Sequence, residues 1–152
     1  MKFRPESEIW PLMSDAELKA LAADIDQTGQ QYPISVYQND ILDGRNRWLA
    51  MTKFCTKNTN PVLETVNPES AVKFVISRNE KRRHLNSEQR GYAAALALPF
   101  FEAEAKKRQV DAGKETGRGH KRSGPIGPDL SVHRAADDAA EAFNTSSRNV
   151  QR

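Results

Sequence analysis

Within the stretch ILDGRNRWLAMTKF, positions 41–54, the chain changes its period. Ile41 and Leu42 form a short apolar strand, Asp43-Gly44 is a turn, and from Arg45 onward Trp48, Leu49, Met51, Thr52 and Cys55 recur at helical spacing. A chain that passes from strand to helix through one Asp-Gly pair needs both a sheet and a helical layer to bury its apolar faces. The fold class that follows is mixed α/β, of the α+β kind, with a small mixed sheet and flanking helices.

The flanking segments extend this pattern. Ser14-Asp15-Ala16-Glu17 is a capping box, and Leu18, Leu21, Ala22 and Ile25 behind it form one apolar face. A helix over 15–27 is expected, stopped by Gly29. Tyr32 to Tyr37 reads as a strand, Gln38-Asn39-Asp40 as a turn, and Pro61 to Val66 as a third strand. Asn67-Pro68 predicts a cap with proline at the first helical position, and Ala71, Val72, Phe74, Val75 and Ile76 follow. The expected helices are 15–27, 45–56, 68–77 and 87–106, the last kinked or interrupted at Pro99.

From residue 108 the periodicity fades into GKETGRGHKRSGPIGPDL, rich in glycine, proline and basic residues. Residues 108–131 therefore read as a basic flexible linker between a domain over 1–107 and a helical segment over 132–152. Charge is otherwise nearly balanced, 23 Lys+Arg against 20 Asp+Glu, so its location says more than its sum. Cys55 is the only cysteine, which excludes an internal disulfide and a thiolate zinc cluster. The chain has no apolar run of membrane-spanning length and no secretory leader pattern at its N-terminus; a cytoplasmic protein without a membrane partner is expected.

Gly44-Arg45-Asn46-Arg47 stands where a helix begins. A helix start presents amides without intrahelical partners and a partial positive charge, and arginines there add forked donors suited to phosphate. The chemistry fits a phosphate seat; the alternative is an ordinary solvated helix start. Two further segments bear on the choice. TGQQYPISV (28–36) puts a Gly-Gln turn before a strand, and SRNEKRRHLNSEQR (77–90) crowds Arg78, Lys81, Arg82, Arg83 and Arg90 together. Crowded like charges persist most comfortably opposite a polyanion.

In this order the three segments resemble the N-terminal domain of the ParB family, the ParB/sulfiredoxin-like fold, over about residues 5–100. The resemblance implies a nucleotide pocket of CTP type. Gly29, Gln30 and Pro33 fall in its first motif, Gly44, Arg45, Asn46, Arg47 and Ala50 in its second, and Asn79, Arg82 and Leu85 in its third. Arg45 and Arg47 would hold phosphates, Gln30 would shape the pocket, and Asn79 and Arg82 would close over it. The family's second motif usually reads Gly-Glu-Arg-Arg, which is altered here. Arg78 also stands where a glutamate commonly precedes the asparagine, and an arginine there would repel Mg²⁺. Nucleotide binding is expected on this resemblance, with Mg²⁺ as a possible companion, whereas metal-dependent hydrolysis is disfavoured. Sulfiredoxins carry a cysteine in Gly-Gly-Cys-His-Arg; Asp43-Gly44-Arg45-Asn46-Arg47 occupies that place, which sets the redox activity aside.

The tail HRAADDAAEAFNTSSRNVQR reads as a partial helix-turn-helix. Ala136, Ala139, Ala140 and Phe143 form an apolar stripe, Asn144 suits a tight turn, Thr145 or Ser146 can cap the next helix, and Val150 packs back. The alternative is a plain helical hairpin. ParB-like proteins carry such a motif at this place, which implies DNA as a partner, read by Ser146, Ser147, Arg148, Asn149, Gln151 and Arg152. The chain stops inside this second helix, as a truncated product or fragment would. A ParB-like role in partition or transcription control is the leading expectation, compatible with a homodimer. A metal-dependent ParB-like nuclease using Asp43, or a ligand-free protein-interaction module, are the alternatives. His84, His120 and His133 lie in separate segments and suggest no metal site.

Overall fold

The structure, a computed structural model, describes residues 1–80, 85–115 and 130–150. It is a mixed α/β protein, with six α-helices and one three-stranded mixed sheet among the described residues. The chain divides into two compact units, Met1–Val75 and Ile76–Arg152.

The first unit opens with a 3₁₀ turn, Pro5–Ile9, followed by α1, Asp15–Thr28. The expected capping box is complete: Ser14 accepts from the Glu17 amide while Glu17 accepts from the Ser14 amide. Leu18, Ala22 and Ile25 are the buried stripe of α1. Strands β1, Ile34–Tyr37, and β2, Asp40–Asp43, form an antiparallel hairpin. Its two turn residues, Gln38 at φ 52° and Asn39 at φ 66°, both take the left-handed conformation that matches strand twist in a tight hairpin. Strand β3, Leu63–Thr65, runs parallel to β1, giving the order β2-β1-β3. Helix α2, Arg45–Lys53, follows β2 directly and packs on α1 through Ala50, with Leu49 and Phe54 at the margin. Trp10 is buried in the core of this unit.

Three boundaries differ from expectation. Helix α2 ends at Lys53 rather than 56, so Cys55 lies just beyond it; its half-buried thiol donates to the Ala22 carbonyl at 3.5 Å, and burial pushes its pKa up. Helix α3, Ala71–Glu80, starts three residues after Pro68, because Ser70 supplies the cap: its hydroxyl and carbonyl accept from the Lys73 and Phe74 amides. Helix α4, Ser87–Glu115, runs through Pro99 and beyond 107. The first part of the expected linker, 108–115, is therefore helical, continuing a helix whose preceding turns, 102–107, are rich in the strong helix formers Ala, Glu and Lys. The remainder, 116–129, lies outside the described residues.

The second unit is helical. Helix α4 packs with α5, Leu130–Ala142, and α6, Ser147–Val150. Its interior is small-residue: Ala93, Ala94, Ala97 and Ala105 of α4, and Ala135, Ala136, Ala139 and Ala140 of α5, are buried, and Phe101 and Phe143 are large side chains buried completely among them. Methyl groups on facing helices permit close approach, and the two phenylalanines fill the remaining volume. No described helix is long and apolar enough to cross a membrane.

Candidate functional sites

Most of the residues that the sequence singles out lie around two places: the strand-to-helix turn at Gly44 and the α5–α6 pair.

Gly44 has φ 98° and precedes α2 with no side-chain cap. A methyl group added there would stand 3.1 Å from Ile34 Cγ1 and 3.3 Å from Ile34 Cα, so the turn presses on β1 and needs glycine twice, for its angle and for its space. The three side chains that follow reach into the protein. Arg45 Nη2 donates to the Trp10 carbonyl at 2.7 Å, and its Nη1 is 4.0 Å from Glu8. Burial lowers the Arg45 pKa, and the charge of Glu8 opposes that shift. Asn46 Oδ1 accepts from the Met13 amide at 3.2 Å. Arg47 Nη2 lies 3.3 Å from both the Pro33 carbonyl and Asp43 Oδ2. The two arginine side chains are only 12 % and 16 % exposed. The Arg-Asn-Arg triplet thus ties the segment before α1 and the start of β1 to the head of α2.

The first-motif residues have comparable tasks. The Gln30 amide pairs with Val62 in both directions, accepting from its N–H at 2.7 Å and donating to its carbonyl at 2.9 Å. It thereby extends the β1–β3 ladder by one step. Pro33 contributes the carbonyl that Arg47 reaches, and Gly29 ends α1, its amide donating to Ile25. Asp43, the residue a nuclease would use, is buried and paired with Arg47. Among the described residues no three His, Cys, Asp or Glu side chains come together as a metal-binding group. Asn79 sits in the last turn of α3, in the second unit, and Leu85 follows the undescribed stretch; Arg82 lies outside the described residues.

Sequence reasoning missed the role of Asp26. Its carboxylate accepts from the amides of Thr56, Lys57 and Asn58 and from the Thr56 hydroxyl, at 2.7 to 3.0 Å. Those bonds, first among them the Thr56 and Asn58 amides, hold its pKa well below the usual carboxylate range. The loop after α2 is an anion-binding concavity filled by the protein's own side chain. No local pattern signals it, since the partners are some thirty residues apart.

At the other site, α5 ends at Ala142 and Asn144 takes φ 47°, the left-handed turn residue that the spacing predicts. Ser146 precedes α6, its carbonyl accepting from the Asn149 and Val150 amides. Ala140 and Val150 are 4 % and 3 % exposed, as a small residue and an aliphatic at a close helix crossing require. Ser147 Oγ donates to Asp137 of α5, fixing the first turn of α6 to its neighbour. Ser146, Arg148 and Asn149 are exposed. Gln151 and Arg152 lie outside the described residues. On α5, Asp137 and Glu141 are exposed, and Asp138 pairs with Arg108 of α4 at 2.9 Å.

Compared with known proteins, the chain matches no family model, no curated sequence and no solved structure.

Proposed function

We propose that this chain is a ParB-like DNA-binding protein that acts in partition or transcription control and contacts duplex DNA through α6. The observation that carries this reading is the α5–Asn144–α6 arrangement: a left-handed Asn, a buried Ala140 and a buried Val150, with Arg148 and Asn149 left on the outer side. Two helices joined in this way present the outer side of the second to the major groove. The carboxylates of α5 favour a docking in which α6 leads and α5 stands back from the phosphates.

The test is fluorescence anisotropy of the full chain with a labelled duplex across a salt series. Binding that weakens steeply with salt, and that Arg148→Ala weakens further, supports the reading. A chain that binds no duplex even at low salt ends it.

A nucleotide of CTP type at the Gly44 turn is the second part of the proposal, supported by an uncapped helix start flanked by two guanidinium groups. Since Arg45 and Arg47 already hold internal partners, a polyphosphate would have to draw at least one of them away, Arg47 from Asp43 most directly. Calorimetric titration with CTP and ATP, with and without Mg²⁺, tests it. Heat with neither nucleotide leaves the triplet a structural tie alone.

A further inference from the structure

Resting on the DNA-binding reading above, we infer that α6 reads two neighbouring purines on one DNA strand, a guanine through Arg148 and an adenine through Asn149. Of the side chains on α6, Ser147 is committed to Asp137 and Val150 is buried. Arg148 and Asn149 remain, side by side and exposed.

Their hydrogen-bonding capacities differ. Arg148 makes no side-chain hydrogen bond or ion pair among the described residues, so its forked donors are available together, which suits the O6 and N7 acceptors of guanine. Asn149 donates one Nδ2 hydrogen to Thr145 Oγ1 at 3.4 Å. One amide hydrogen and the Oδ1 acceptor are left over. That donor-acceptor pair is the complement of adenine N7 and N6–H in the major groove. The Thr145 contact favours the amide orientation in which Oδ1 points outward. At the same residue α6 passes close to α4: a methyl group placed on Gly91 would only come to van der Waals distance, 3.5 Å, of Asn149 Cβ and its carbonyl, so the glycine leaves the asparagine room. The asparagine is thus tethered on one side, through Thr145, and the arginine is long enough to reach the adjoining base pair.

The experiment selects duplexes from a randomised pool with the full chain and then measures anisotropy on the winning duplex and on versions with one base pair replaced. The expected winner carries adjacent guanine and adenine on one strand. Replacing either costs the wild-type chain roughly 5- to 150-fold in affinity. Arg148→Ala becomes indifferent at the guanine alone and Asn149→Ala at the adenine alone. Thr145→Val, which keeps shape but removes the acceptor, weakens discrimination at the adenine and leaves the guanine unaffected. Melting curves confirm that each variant folds. A winner without the purine pair, or variants whose base preferences match the wild type, overturns the inference. Binding that is salt-dependent but without preference overturns it too while the DNA-binding reading stands. Absence of any duplex binding overturns both.

Discussion

Nη2 of Arg47 stands 3.3 Å from Oδ2 of Asp43, four residues back, and both side chains are largely withdrawn from solvent. This pair closes the turn from β2 into α2. It also joins a residue that phosphate chemistry would use to one that metal chemistry would use.

Removing one half of such a pair takes an opposite charge from the other in a poorly hydrated place. Asp43→Ala is expected to cost about 3–5 kcal/mol of stability. Asp43→Asn, which keeps an acceptor, is expected to cost less. Urea unfolding of the two variants measures this. If Asp43→Ala instead unfolds with the wild-type midpoint, the pair does not hold the turn.

Gly44→Ala places a side chain at φ 98° against Ile34 of β1. A non-glycine residue held in such a conformation costs about 1–3 kcal/mol. The expected result is a lower melting temperature, with Gly44→Asn less affected than Gly44→Val because Asn tolerates positive φ and a β-branched residue does not. Equal melting of all three would remove the strain argument.

Asp26 makes stability depend on pH. Its folded-state pKa is depressed, so its contribution is fully present above the unfolded value near pH 4 and is lost as pH falls through the lower folded value. Melting curves of the wild type and Asp26→Asn should be furthest apart near neutrality and converge under acid. A gap that stays constant from pH 7 to pH 2 contradicts the assignment.

Pro99 has no N–H to give the Ala95 carbonyl within α4, and it is solvent-exposed. Pro99→Ala restores the donor without disturbing a packed neighbour and should raise stability, by up to about 3 kcal/mol. A rise in the midpoint of thermal unfolding is the readout; a fall would mean that the helix needs its bend.

Phe143→Ala removes the large side chain that closes the interior beside α6 and should cost about 3–5 kcal/mol. Hydrogen exchange at the Asn149 and Val150 amides should accelerate in the same variant. Unchanged protection there would mean that α6 is held independently of Phe143.

Local signals predicted local structure well. Ser14 and Glu17 announce the cap of α1, the Gln38-Asn39 turn sits between two alternating runs, and Asn144 marks the bend before α6. Each depends on neighbours a few positions away. The Gly44 turn shows the limit of such reading. Its location between strand and helix is plain in the letters, but the partners of Arg45, Asn46 and Arg47 are the Trp10 carbonyl, the Met13 amide and the Pro33 carbonyl. Backbone groups have no residue-type signature, so a side chain that ends on one cannot be paired from sequence. Helix α4 shows another limit. Pro99 and Gly113 argue for an end, while the tertiary packing of Phe101 and Ala105 rewards continuation, and packing wins.

The alanine seam between α4 and α5 makes the second unit intolerant in one direction only. Ala94, Ala97, Ala135 and Ala139 have no exposed surface into which a larger group could turn. An added ethyl or isopropyl arm must lever the two rods apart, and because α6 rests on both, it would lose its footing with them. Substitutions that keep this seam closed are therefore limited to side chains no larger than serine, whereas the outer side of α6 can change its chemistry without altering the scaffold that presents it.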